Sequence, residues 1–226
     1  MTKVAVVLAG CGHKDGAEIR EAVLSLLYLD QQGADVSIFA PDMPQTDVIN
    51  HLTGEVTRES RNVLVEAARI ARGDIRPLSQ AKAQDFDALV LPGGFGAAKN
   101  LSDLAMKGKD ATVIPDYKRL LTEFLTQKKP IGAICISPAV LTAAVGKEFR
   151  PAVTIGEDAG TASAITAMGG IHETKATDDV AIDPKNKIAS CSAYMRDDRL
   201  SRVASGIEKV ISEVMNFAKQ AQRNAA

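Results

Sequence analysis

The sequence has no tryptophan, and only 4% of its residues are aromatic. Base-stacking recognition of nucleic acid needs aromatic platforms that this chain barely has. No charge of one sign dominates either: 27 basic residues against 28 acidic leave a formal net charge of −1. Neither a phosphate backbone nor an anionic membrane surface is expected as a partner. The three cysteines, Cys11, Cys135 and Cys191, are far apart and form no CxxC pair. That excludes a disulfide framework and suits a reducing compartment, so a cytoplasmic location is expected. The three histidines, His13, His51 and His172, show no ligand spacing, and no metal is expected. Long apolar stretches are missing as well. The run from Val4 to Ala9 is too short for a signal-peptide core or a membrane span, so the protein is expected to be soluble.

What is present is a regular alternation. Short β-rich apolar runs take turns with helical patterns, the signature of a mainly parallel sheet covered by helices. Strands are expected at 4–9, 34–41, 86–94, 130–135 and 152–156, with helices at 63–71, 115–128, 138–145 and 159–168 between or after them. The first helix places Ile19, Ala22, Val23, Leu26 and Leu27 at helical spacing, which reads as its inner face. Residues 180–183 and 187–192 bracket a Pro-Lys-Asn turn and predict an antiparallel hairpin. A last helix carries an apolar stripe from Leu200 to Phe217. No repeat or linker divides the 226 residues, which suits one α/β domain over 1–226.

Sites in such sheets form beyond the carboxyl ends of central strands. Three strand ends carry unusual residues: GCGHKDGAE (10–18), LPGGFG (91–96) and AICISP (133–138). In the third, Cys135 ends a strand while Ser137-Pro138 reads as a helix cap, so the thiol lies at a helix mouth that favours an anion. A free cysteine there also serves as a plain buried apolar residue. Glu18 reads in two ways: as the third residue of a capping box begun by Asp15, or as a carboxyl beside the Cys135 sulfur. Gly93 and Gly94 offer backbone N–H groups for an oxyanion, as does the peptide of Ile136. Cys11 is expected to line the pocket, and His172 and Glu157 to support it from behind. The 10–16 loop is also a weak dinucleotide-binding pattern, disfavoured by its own acids, and no cofactor is expected.

Taken together, AGCGHKDGAEIREAVL, LPGGFGAAKNL, AICISPAVL and ASGIEKV resemble the class I glutamine-amidotransferase-like superfamily in its PfpI branch. Within it they are most similar to the ElbB-type glyoxalases, also labelled isoprenoid-biosynthesis proteins with an amidotransferase-like domain. The resemblance implies a flavodoxin-like three-layer sandwich, a nucleophile elbow at Cys135, a homodimer and no cofactor. It also implies conversion of a small aldehyde, glyoxal or methylglyoxal, to a 2-hydroxy acid, with Glu18 as proton shuttle. The histidine that hydrolytic relatives place beside the cysteine is missing, since Ile136 follows Cys135. The alternatives are a redox sensor or a regulatory metabolite-binding protein.

Overall fold

A computed structural model describes residues 1–225. Its centre is a seven-stranded sheet in the order β3-β2-β1-β4-β5-β9-β8. The strands are β1 (Lys3–Val7), β2 (Asp35–Ala40), β3 (Arg76–Pro77), β4 (Ala88–Leu91), β5 (Ile131–Ile134), β8 (Ala181–Asp183) and β9 (Ile188–Cys191). All pair in parallel except β8, which closes one edge as the antiparallel arm of the expected hairpin. Two further strands, β6 (Ala152–Val153) and β7 (Ile171–His172), pair with each other apart from this sheet.

The side-chain alternation of a strand divides the core in two. Along β1 and just beyond, Val4, Val6 and Leu8 join one buried cluster, while Ala5, Val7 and Ala9 join the other. The first cluster is covered by α1 (Ile19–Gln31), α2 (Val63–Ile70) and α8 (Leu200–Ala225). The second is covered by α3 (Phe95–Lys99), α5 (Pro115–Thr126), α6 (Ser137–Phe149) and α7 (Ala159–Ala167). A short α4 (Leu104–Lys107) follows α3. This is the three-layer arrangement expected of a mainly parallel sheet buried on both faces.

Two local readings need correction. The inner face of α1 is Glu21, Ala22, Ser25 and Leu29, all fully buried, whereas Ile19, Val23 and Leu27 are 44–49% exposed. The cap of α1 is Glu18 itself, whose Oε2 accepts the Glu21 N–H at 2.6 Å. Asp15 instead accepts the N–H of Ile49 at 2.7 Å, which pins the preceding loop. Among the described residues, no helix is long and apolar enough to cross a membrane.

Candidate active site

The order of strand addition reverses between β1 and β4, and the crevice at such a reversal is where open α/β sheets place ligands. Three chain segments leave the sheet there: the loop to α1, the Pro92–Gly94 turn before α3, and the step from β5 into α6. Cys135 occupies that last step with φ +63°, a left-handed conformation that a non-glycine residue adopts only at some cost. The turn is held from both sides. Cys135 N–H donates to the Cys191 carbonyl at 2.9 Å, and Ser137 Oγ donates to the Pro92 carbonyl at 2.8 Å. Ser137 is thus an anchor to the β4 turn, and Ile136 takes the cap position.

Cys135 is 94% buried, and its sulfur faces the backbone N–H of Gly94, the backbone N–H of Ile136 and the carboxyl of Glu21. Gly93 makes the approach possible, because a Cβ there would strike the Cys135 Cβ and the Glu21 carboxyl. Glu21 also accepts the Gly93 N–H at 3.0 Å and the Tyr194 N–H at 3.3 Å. Complete burial, then the charge of Glu18, pushes its acidity constant from 4.5 up to about 8. Burial and the Glu21 charge push the Cys135 thiol up as well, against the Gly94 and Ile136 donors. Both groups cannot be charged in one buried space. Below about pH 8 Glu21 therefore holds a proton, its repulsion of the sulfur disappears, and its O–H is free to donate to Sγ.

This geometry redistributes the residues singled out in the sequence. Glu18 lines the cavity but is bound to the end of α1; the carboxyl at the sulfur is Glu21, one helical turn further on. Gly94 and Ile136 converge on Cys135, whereas the Gly93 N–H is taken by Glu21. Cys11 is half-buried, is absent from the cavity wall, and is raised by burial and by Glu66. His172 sits on β7, where its Nε2 accepts the Ile155 N–H at 3.4 Å, away from the sulfur. Glu157 pairs with Arg196 at 2.6 Å on the rim. Residues that the sequence reading passed over are Glu21 and Tyr194. No local spacing marks either one.

Above Cys135 opens a cavity of about 460 Å³ whose walls include His13, Glu18, Phe95, Leu104, Asp158 and Met195. Among the described residues no three His, Cys, Asp or Glu side chains converge as metal ligands.

The chain is 47% identical over 225 residues to the mitochondrial ES1 protein homolog of Rattus norvegicus, covering 95% of this chain and 84% of that one. It is 45% identical to the mitochondrial glutamine amidotransferase-like class 1 domain-containing protein 3 of Homo sapiens, covering 95% and 83%. The crystal structure of an isoprenoid biosynthesis protein with an amidotransferase-like domain from Ehrlichia chaffeensis matches with a TM-score of 0.91 at 46% identity, covering 96% of this chain and 99% of that one. The pattern of the DJ-1/PfpI family matches residues 3–153. By fold, elbow and sequence, the chain belongs to the DJ-1/PfpI family.

Proposed function

We propose that the protein converts glyoxal to glycolate without glutathione, with Cys135 as nucleophile and Glu21 as proton shuttle. The carrying observation is the fully buried Glu21 carboxyl beside Cys135, where burial pushes its pKa up to about 8. The pair reacts in the form that carries a single proton: sulfur bonds to one aldehyde carbon and that proton passes to the carbonyl oxygen, leaving a hemithioacetal and the Glu21 carboxylate. Glu21, now a carboxylate, takes the C–H proton of that carbon, and the electron pair moves towards the second carbonyl to form an enediolate. Returning that proton to the second carbon, while the hydroxyl proton of the first carbon shifts to the oxygen of the second, gives a thioester of glycolate, which water cleaves to glycolate and free thiol. The sequence is an internal redox change: one carbon is oxidised, its neighbour reduced, and no outside oxidant enters. A Cys–His hydrolase has less support, because among the described residues the groups that act on the sulfur are Glu21 and the N–H groups of Gly94 and Ile136, with no histidine. Purified protein should form glycolate from glyoxal in glutathione-free buffer; thiol loss with no glycolate would reduce Cys135 to a reactive but non-catalytic group.

We also propose that the protein works as a homodimer. Ile19, Val23 and Leu27 form an outward apolar stripe on α1, the helix that carries Glu21. A second copy of the same face is a self-complementary cover for it. Sedimentation at micromolar concentration should give the mass of two chains, and Leu27→Asp should give the mass of one. A single-chain mass for the unaltered protein rejects the dimer.

A further inference from the structure

We propose that His13 is the base of the last step, taking a proton from the water that cleaves the Cys135 thioester; this role rests on the Cys135–Glu21 reaction above. That reaction assigns no group to the attacking water. Glu21 is fully buried beside the sulfur, whereas the water comes from the solvent side. A base for it must stand on the cavity wall, within hydrogen-bond reach directly or through one further water. Besides Cys135, the ionisable side chains on that wall are His13, Glu18, Asp158 and Tyr194. Three of them are committed elsewhere. Glu18 Oε2 accepts the Glu21 N–H at 2.6 Å, Asp158 Oδ1 accepts the Thr161 N–H at 2.7 Å, and the Tyr194 hydroxyl accepts from Arg20 at 3.1 Å. The Thr161 donors also hold Asp158 below the usual carboxylate range, which makes it a weak base.

His13 is uncommitted and well placed. It lines the cavity yet is exposed, which puts it at the mouth, where water enters. Among the described residues, neither of its ring nitrogens bonds a protein group; the bonded histidine of the pair is His51. The His13 ring instead packs edge-on against His51, with centroids 5.0 Å apart. His51 is fixed in turn: Nδ1 bonds the Ile49 carbonyl at 3.0 Å, and Nε2 accepts the Lys14 N–H at 3.3 Å. Gly12, at φ +130°, leaves room for it, since a Cβ there would meet His51 Nε2 at 2.6 Å. The His13 carbonyl accepts the Phe95 N–H at 2.8 Å, tying its backbone to α3. Burial, then His51 and Lys14, lower the proton affinity of His13, while Glu18 and Asp15 pull the other way. The cavity of about 460 Å³ has room for water beside a glycolyl group, since each water takes about 30 Å³.

The step balances. Water oxygen bonds to the thioester carbon as one water proton passes to a His13 ring nitrogen. The C–S bond breaks with its electron pair on sulfur. The second water proton leaves the new carboxyl for the Cys135–Glu21 pair, restoring its single proton. Glycolate departs as the anion, and His13 returns its proton to bulk water.

The test separates acylation from hydrolysis by single-turnover kinetics. His13→Gln keeps a polar side chain that cannot take a proton. With glyoxal, its steady-state glycolate formation should fall about a hundredfold, the scale of a general base. Cys135 should meanwhile fill with an adduct having the mass of one glyoxal, as fast as in the unaltered protein. After glyoxal is removed, hydroxylamine should release glycolohydroxamate from that adduct, which marks a thioester and not a hemithioacetal. In His13→Ala, added imidazole should shorten the life of the isolated adduct. Full turnover by His13→Gln, or lost turnover with Cys135 left free, overturns the role of His13 and leaves the proposed reaction standing. Thioester accumulating in Glu18→Gln and not in His13→Gln also overturns it and gives the water to Glu18. Neither glycolate nor adduct from the unaltered protein rejects the reaction and this step together.

Discussion

Cys135→Ser is expected to lose glycolate formation by roughly 10⁴-fold or more while remaining folded, the scale seen when a covalent nucleophile is removed. The fold should survive because serine adds nothing new to the elbow. Its Cβ stands where cysteine's does, clear of Gly93, and the left-handed backbone at φ +63° costs both residues alike. The hydrogen bond from the Cys135 N–H to the Cys191 carbonyl is untouched. What disappears is the sulfur, a nucleophile intrinsically far stronger than a hydroxyl. A hydroxyl would need a base to activate it, and the group beside it, Glu21, is protonated below about pH 8. Far-UV circular dichroism should overlay that of the unaltered protein, and a glycolate assay should read background. Appreciable turnover by the serine variant would remove Cys135 from the mechanism.

How legible all this was depended on whether the determining contacts were local. The alternation of β1 and the strand runs ending at Leu91 and Ile134 announced a parallel sheet, because burial on both faces leaves an unmistakable apolar run. Cys135 was legible for the same reason: a small nucleophile after a buried strand, followed by Ser-Pro, can only sit at a turn into a helix. The carboxyl partner was not. Ile19, Val23 and Leu27 outweigh Glu21 and Ser25 in hydrophobicity, so amphipathicity alone turns α1 the wrong way round. Glu21 faces inward because Gly93 and Tyr194 supply N–H donors, and those lie 72 and 173 residues away along the chain. No local spacing encodes a partner at that distance. The short elements escaped for another reason. β3 is two residues and α4 is four, too brief for periodicity to register, yet Leu104 of α4 forms part of the cavity wall.

The Glu21→Gln variant should lose turnover by a hundredfold or more, on the usual scale of a general acid–base group, and its stability should respond to pH in a distinctive way. A protonated Glu21 does three things at once: each oxygen accepts an N–H, from Gly93 and from Tyr194, and the O–H is available to Sγ. Glutamine cannot match this, since its nitrogen donates and cannot accept. One buried N–H is left without a partner, at a cost of about 1–3 kcal/mol. At low pH the variant should therefore be the less stable protein. The folded-state value of Glu21, about 8, lies above its ordinary 4.5, so the folded form binds the proton more tightly than the unfolded chain. That contribution is fully present below about pH 4.5 and is lost as pH rises to about 8. The slope is at most about 1.4 kcal/mol per pH unit. Glutamine does not titrate, so the gap between the two proteins should close on raising the pH from 5 to 8 and then reverse. Denaturant midpoints across that range would show it; parallel curves would mean that Glu21 is not held protonated. Glu18→Gln supplies the contrast. Its amide oxygen can still accept the Glu21 N–H, but the charge that raises Glu21 is gone. Turnover near pH 6 should persist, with the alkaline loss of activity arriving at lower pH. If Glu18→Gln is instead the dead variant and Glu21→Gln the active one, the proton shuttle belongs to the residue at the helix cap.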